Sequence, residues 1–415
     1  VPIDYEPLSP RFRDDPYPVY RKLRDHDPVH FAPAAGMYCL SRHEDVAKAL
    51  LEPEVFSSSA MNTVLNDLGP PRLRVLLSLV LLMVRTRVNP FEIRRRGSLI
   101  SIDPPRHDAL RAIVNRGFVP RRIAAWEPRA RRIMADAMAG LVPGVPFDVV
   151  ERVAIPLPVT IIAEMLGVET GRRGDFKRWS NAVVALMSGA ARGNPTPALL
   201  REVGDLFRYL RECAQRRRRA PADDLISLLV DPAREDALDE LDVLQFVTLL
   251  LVAGNETTTN LIANAVHALL CHPGQLARVA GSPERVPALV EEALRYDSPV
   301  QMVFRQTTRE VEVRGTRIPA DTPVVLLLGS ANRDERVFPD PDRFDVAREP
   351  RGHLAFGFGP HFCMGAALAR LEAKVALEAL VPELSRCKPV GGTPPMVDSF
   401  LVRGRACLPI EIAGG

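Results

Sequence analysis

Ten residues near the C-terminal end constrain this chain more than any others: Phe356-Gly357-Phe358-Gly359-Pro360-His361-Phe362-Cys363-Met364-Gly365. They carry one cysteine on a loop whose glycines let backbone lie close against a flat partner. An Ala-rich stretch, 366–380, follows with helical spacing. The cysteine therefore sits where a helix dipole and free N–H groups stabilise a thiolate. Phe356 and Phe362 are placed to shield its sulfur from water. No second cysteine stands at Cys-x-x-Cys spacing, so the zinc and iron–sulfur patterns are absent. A lone cysteine is ordinarily a small buried hydrophobe. In this setting three uses stay open: nucleophile, redox switch, or axial ligand of a large cofactor.

The rest of the composition narrows the class. The 415 residues are 47% hydrophobic, enough for a large core. A net charge of +3 gives no case for nucleic acid. The six cysteines, at 39, 213, 271, 363, 387 and 407, are scattered without a disulfide-scaffold spacing, which suits a reducing cytoplasm. The Pro-rich, charged N-terminus reads as neither signal peptide nor membrane anchor. The longest apolar runs, near 75–84 and 247–254, are too short to span a bilayer.

Asp15-Pro16-Tyr17-Pro18 opens a first helix through Arg24, and 29–31 with 37–40 reads as a hairpin around Gly36. Ser41 and Glu44 form a capping box for a helix to Leu51. The apolar run from Val75 to Val84, flanked by arginines, has three readings: a buried helix, a lid over an apolar substrate, or contact with a membrane surface. Helical patterns with Gly/Pro breaks fill 124–240. Residues 239–270 form the longest helical stretch, apolar over most of its surface. Gly254-Asn255-Glu256-Thr257-Thr258-Thr259 interrupts it, and an acid buried mid-helix is costly unless paired or used. Glu292 and Arg295 stand three apart on a later helix and can touch. Strands are expected at 311–313, 317–318 and 324–328, with a last hairpin over 396–412.

Three of these features, together with the helix that opens at Asp103 and carries His107 and Arg111 four apart on one face, resemble the cytochrome P-450 family, in its order and separations, over nearly the whole chain. The Cys363 loop fills every fixed position of that family's Phe-Gly-x-Gly-x-His-x-Cys-x-Gly pattern. The resemblance is to the soluble bacterial type. It implies a mainly α single domain spanning 1–415, with a small β-region from 29–40, 311–328 and 396–412. It also implies haem b between the long helix and the Cys-loop helix, with the Cys363 thiolate as axial ligand and O2 as cosubstrate. Phe356, His361 and Gly365 would shape the haem site, and His107, Arg111, Arg305 and His361 would hold the propionates. Glu256 and Thr257 match the family's acid–alcohol pair. Glu292, Arg295 and Arg348 match a buried structural network. Substrate would touch Ala185, Leu249, Val252, Ala253, Met302, Val303, Phe400 and Leu401, an apolar set suited to a fatty acid, terpenoid, steroid or macrolide-like molecule.

The implied activity is a cytoplasmic monooxygenase, working as a monomer. A ferredoxin or flavodoxin with its NAD(P)H reductase would supply electrons, docking on a basic patch of Arg116, Arg121, Arg122, Arg370 and Lys374. The alternatives are a peroxygenase driven by H2O2 and a non-catalytic haem- or ligand-binding protein.

Overall fold

The computed structural model describes residues 3–60, 92, 95–187, 196–231, 238–349 and 351–413. The 75–84 run lies outside them, so its three readings are not tested. The chain forms two compact units. The first comprises Val1–Ser57, Ile123–Pro158 and Thr257–Gly415, and the second Ser58–Arg122 and Val159–Glu256.

Helices dominate, as the hydrophobic periodicity requires. The longest runs unbroken from Glu240 to Cys271, 32 residues or about 48 Å. It gives 240–256 to the second unit and 257–271 to the first. Gly254 does not break it, because glycine is what the packing requires there. A Cβ at 254 would come within 2.8 Å of Ile162 on the Pro156–Met165 helix. The Pro197–Arg219 helix shows a clear sequence cause at each end. The Thr196 hydroxyl accepts from Leu199 N at 3.3 Å, Pro197 fills the first position, and Arg216–Arg219 face the negative end of the dipole.

The first unit contains the main sheet. In chain order the described strands are β1 (Val29–Ala32), β2 (Met37–Leu40), β3 (Phe56–Ser57), β4 (Phe147–Asp148), β5 (Val303–Thr307), β6 (Val311–Val313), β7 (Thr316–Ile318), β8 (Pro323–Leu326), β9 (Cys387–Pro389) and β10 (Pro409–Ile412). The main sheet has the order β1-β2-β8-β5-β3. β2 and β8 pair in parallel, with Cys39 opposite Val325, and the other pairs are antiparallel. Leu40, Val46, Leu50, Phe56, Val324 and Leu326 close the core beneath it. β6 and β7 form a separate hairpin.

Two local expectations are corrected. The helix over His43–Leu51 has no side-chain cap from Ser41; Asp334 accepts from His43 N at 2.9 Å instead. The tail is not one hairpin. Met396 bridges Arg405, whereas β10 pairs with β9 and β4.

Candidate active site

The Cys363 loop is shaped by its glycines. Gly357 and Gly359 both have φ of +70°, a region where a side chain costs energy. At Gly359 a Cβ would also sit 2.8 Å from the Leu50 carbonyl oxygen. A 3-10 turn over Gly359–His361 then delivers Cys363, whose N–H donates to the Phe356 oxygen at 2.8 Å. The Cys363 thiol is half-buried. The helix Ala366–Leu384 starts three residues later.

Polar groups fix this loop from one side. Glu291 accepts two hydrogen bonds from Arg370, at 2.6 and 2.9 Å, and lies 3.0 Å from His353 Nε2. Burial alone would push the Glu291 carboxyl up, but Arg370 and His353 hold it down at about 2. The Arg370 guanidinium in turn lies 4.5 Å from the centre of the Phe356 ring. Lys374 meets Glu127 at 3.2 Å. Both cations that the sequence offered to an acidic partner from this helix thus have internal carboxylates.

Glu292 and Arg295 are fully buried and joined by two hydrogen bonds of 2.8 Å. Arg295 also donates to the carbonyls of Asn332, Pro341 and Arg343. Arg348 Nε lies 3.4 Å from Glu292 Oε1, and Asp345 N donates to that same oxygen. The three residues therefore meet, and they pin 332–348 against the Val286–Tyr296 helix.

On the long helix, Glu256 and Thr257 are adjacent and each is half-buried. Burial raises the Glu256 carboxyl to about 7. Asn255 donates to Ser180 Oγ at 3.4 Å, and Thr259 to the Ala154 oxygen at 3.1 Å. Each polar residue of the interruption that has a described partner is thereby anchored to its own unit.

The remaining expected residues divide between the units. In the first, Arg305 is 4% exposed on β5 and donates to the Phe304 carbonyl, while His361 and Gly365 flank Cys363. Met302 and Val303 lie near Phe400 and Leu401: the Phe304 and Phe400 rings are 6.1 Å apart, and Gln301 N donates to the Leu401 oxygen. In the second, His107 is fully buried one turn before Arg111, with Nδ1 2.8 Å from Asp108. Ala185, Leu249 and Val252 are half-buried there, and Ala253 is exposed.

The family model described as "Cytochrome P450" matches residues 284–405, which hold both the Glu292–Arg295–Arg348 network and the Cys363 loop. The chain is 37% identical to "Putative cytochrome P450 123" of Mycobacterium tuberculosis, over 99% of this chain and 96% of that one. The chain belongs to the cytochrome P450 family. It is 36% identical to "Vitamin D(3) 25-hydroxylase" of Pseudonocardia autotrophica, with 98% and 96% covered. The P450 CYP109Q5 from Chondromyces apiculatus superposes with a TM-score of 0.86 at 40% identity, covering 100% of this chain and 99% of that one.

This P450 is a monooxygenase and, as a member of the family, a haem-thiolate protein. Its residues fit such a group. A half-buried thiol stands on a loop where Gly357, Gly359 and Gly365 add no side chain of their own, and the buried Arg305 and half-buried His361 of the same unit suit carboxylates. Among the described residues no helix is long and apolar enough to cross a membrane.

One residue of this P450 escaped the sequence reading. Glu372 lies on the Cys-loop helix and is 2% exposed. Burial pushes it up to about 8, against the opposing effect of a hydrogen bond with Thr258. Its Oε1 has no hydrogen-bond partner among the described residues. The signal available was an acid on the apolar side of an Ala-rich helix, nine residues after Cys363.

Proposed function

We propose that this P450 inserts one oxygen atom of O2 into a C–H bond of a bulky apolar molecule, most readily one of steroid or terpenoid size. In this reading residues 1–415 act as one catalytic domain, and a ferredoxin or flavodoxin supplies its electrons. The observation that carries it is the Cys363 loop, a half-buried thiol held at a helix start by two left-handed glycines. Bound haem supplies the binding and reductive activation of O2.

The chain's own residues supply the surroundings. Cys363 is assigned as the axial thiolate. His107, Arg111, Arg305 and His361 are assigned to the cofactor's carboxylates, and Phe356 to shielding the sulfur. Glu256, titrating near neutral pH, both holds and releases a proton at its carboxylate. The Thr257 hydroxyl can accept one hydrogen bond and donate another, as a proton path requires. The substrate assignment is supported by the apolar character of Ala185, Leu249, Val252, Ala253, Met302, Val303, Phe400 and Leu401. A relative named for hydroxylating vitamin D(3) points to the same class.

The test is an optical titration of the ferric protein against steroids, terpenoids and fatty acids, followed by turnover with a donor system. A saturable low- to high-spin shift with one class, and oxygenated product formed with ferredoxin, are expected. Turnover with H2O2 and none with any donor would instead assign a peroxygenase, and no turnover with either a binding protein. Thr257→Ala should retain the spin shift while most electrons leave as peroxide. Unchanged coupling in that variant would remove Thr257 from the proton path.

A further inference from the structure

Thr257 opens the weakest turn of the long helix. Three threonines in succession follow Gly254-Asn255-Glu256, and β-branched residues lower helix propensity. The helix nevertheless runs through this turn unbroken. The three positions after Thr257 are each held by a different element of the first unit. The Thr258 side chain shares a hydrogen bond with the Glu372 carboxyl on the Ala366–Leu384 helix. Thr259 Oγ1 donates to the Ala154 oxygen at 3.1 Å. Asn260 lies so close to the C-terminal segment that a Cβ at Gly404 would fall 2.0 Å from its Oδ1. Successive helical residues point about 100° apart, so these contacts fix the rotation of the turn as well as its position.

Glu372 is the one titratable group among these three contacts. Leu368, Val375 and Ala376 share its face of the helix and are buried with it. The charges on the elements packed against that helix are engaged elsewhere or exposed. On the Glu127–Met138 helix, Glu127 takes Lys374 and Arg131, Arg131 also reaches Glu378, and Arg132 and Asp136 are exposed. On Val286–Tyr296, Glu291 takes Arg370, and Glu292 takes Arg295 and Arg348. Arg278 on Pro273–Ala280 lies beside Asp345, and Lys388 on β9 beside Glu411. Burial and the Thr258 hydroxyl are what act on the Glu372 carboxyl among the described residues. It therefore stays protonated at neutral pH, and its bond to Thr258 joins two uncharged groups.

We infer that Glu372 is a positioning residue for Thr257, holding the 257–260 turn in register with the helix that leads away from Cys363. The inference rests on the reading of Thr257 as the alcohol of the proton path. Glu372 acts through Thr258: a shift of that side chain turns the helix at the adjacent residue and re-aims the Thr257 hydroxyl. One hydroxyl donor cannot offset an ionised carboxylate in apolar surroundings. Ionisation of Glu372 therefore draws water between the two helices and loosens the contact. The turn is held below about pH 8 and released above it.

The experiment uses the full-length, haem-loaded enzyme with a substrate that gives the spin shift, and measures peroxide released against product formed. Thr257→Ala is the reference for a lost alcohol. Glu372→Leu should keep the spin shift and raise the peroxide-to-product ratio about two- to ten-fold near neutral pH, what one neutral hydrogen bond contributes. In the unmodified enzyme the ratio should climb as pH rises through about 8. Glu372→Gln keeps a hydrogen bond and cannot ionise, so it should rescue the coupling and abolish the climb. A second readout needs no turnover. The infrared difference between the unmodified protein and Glu372→Gln at neutral pH should contain the band of a protonated buried carboxyl, and Thr258→Val should shift that band. A band unmoved by Thr258→Val, or a climb that persists in Glu372→Gln, overturns the inference. So does a Glu372→Leu enzyme that stays coupled while Thr257→Ala leaks peroxide. Should neither variant leak, the reading of Thr257 falls and the inference with it. If Glu372→Leu fails to fold, the pH dependence of the unmodified enzyme against Glu372→Gln decides alone.

Discussion

Two acids, the half-buried Glu256 and the buried Glu372, hold their protons far above the ordinary carboxyl range, near 7 and near 8, both chiefly through loss of solvent. The folded protein therefore binds protons that the unfolded chain has released once pH exceeds about 4.5. Stability contributed at these sites falls as pH rises, through about pH 7 for Glu256 and about pH 8 for Glu372, and the loss is complete above those values. Glu256→Gln and Glu372→Gln remove the ionisation while keeping shape. Each should leave urea midpoints unchanged near pH 4 and raise stability at pH 9, by up to about 3 kcal/mol for Glu256. A gain as large at pH 4 as at pH 9 would show that packing, not charge, is responsible. Of the two, Glu256 was legible in the sequence because it interrupts an apolar helix. Glu372 was missed although it stands two residues from both Arg370 and Lys374, and so on the opposite, apolar side of the helix with Leu368 and Val375; charges so close in sequence hide that difference of face.

The Cys loop and the Glu292 network offer sharper tests among the elements. Gly359→Ala combines a φ of +70° with a Cβ 2.8 Å from the Leu50 oxygen, and should cost about 2–4 kcal/mol in chemical unfolding. Gly391→Ala has a φ of +86° and open space around it, so it should cost about 1 kcal/mol. Equal costs would mean that the Leu50 contact is unimportant. Glu292→Ala strands the fully buried Arg295 and should cost about 3–5 kcal/mol; Arg348→Ala, whose side chain also reaches three carbonyls near the surface, should cost less. The Glu292–Arg295 contact was legible because the two stand three apart on one helix, whereas Arg348 came from the resemblance to the family and not from spacing. Sequence reasoning misplaced the cap of the His43–Leu51 helix, since Asp334 reaches it from nearly 300 residues away, and it missed β5, whose Phe-Arg-Gln core shows no clean alternation.

Charge decides what the whole molecule can attract. Arg121 and Arg122 are exposed, Arg122 with the solvent-exposed Asp223 near it at 3.7 Å, whereas Arg370 and Lys374 are tied to half-buried carboxylates. Charge reversal at Arg121 and Arg122 should therefore slow reduction by an acidic donor several-fold at low salt and flatten its salt dependence, measured by stopped-flow. An unchanged salt slope would move the docking surface elsewhere. The main sheet has a different consequence, for synthesis. β2 must wait for β8, about 280 residues further along, before it finds its parallel neighbour. At roughly 5–20 residues per second, the ribosome leaves that strand edge open for some 15–60 s. During that interval the nascent N-terminal hairpin is a template for the wrong partner, so the yield of native protein should depend on translation speed and on chaperones that cover open strands.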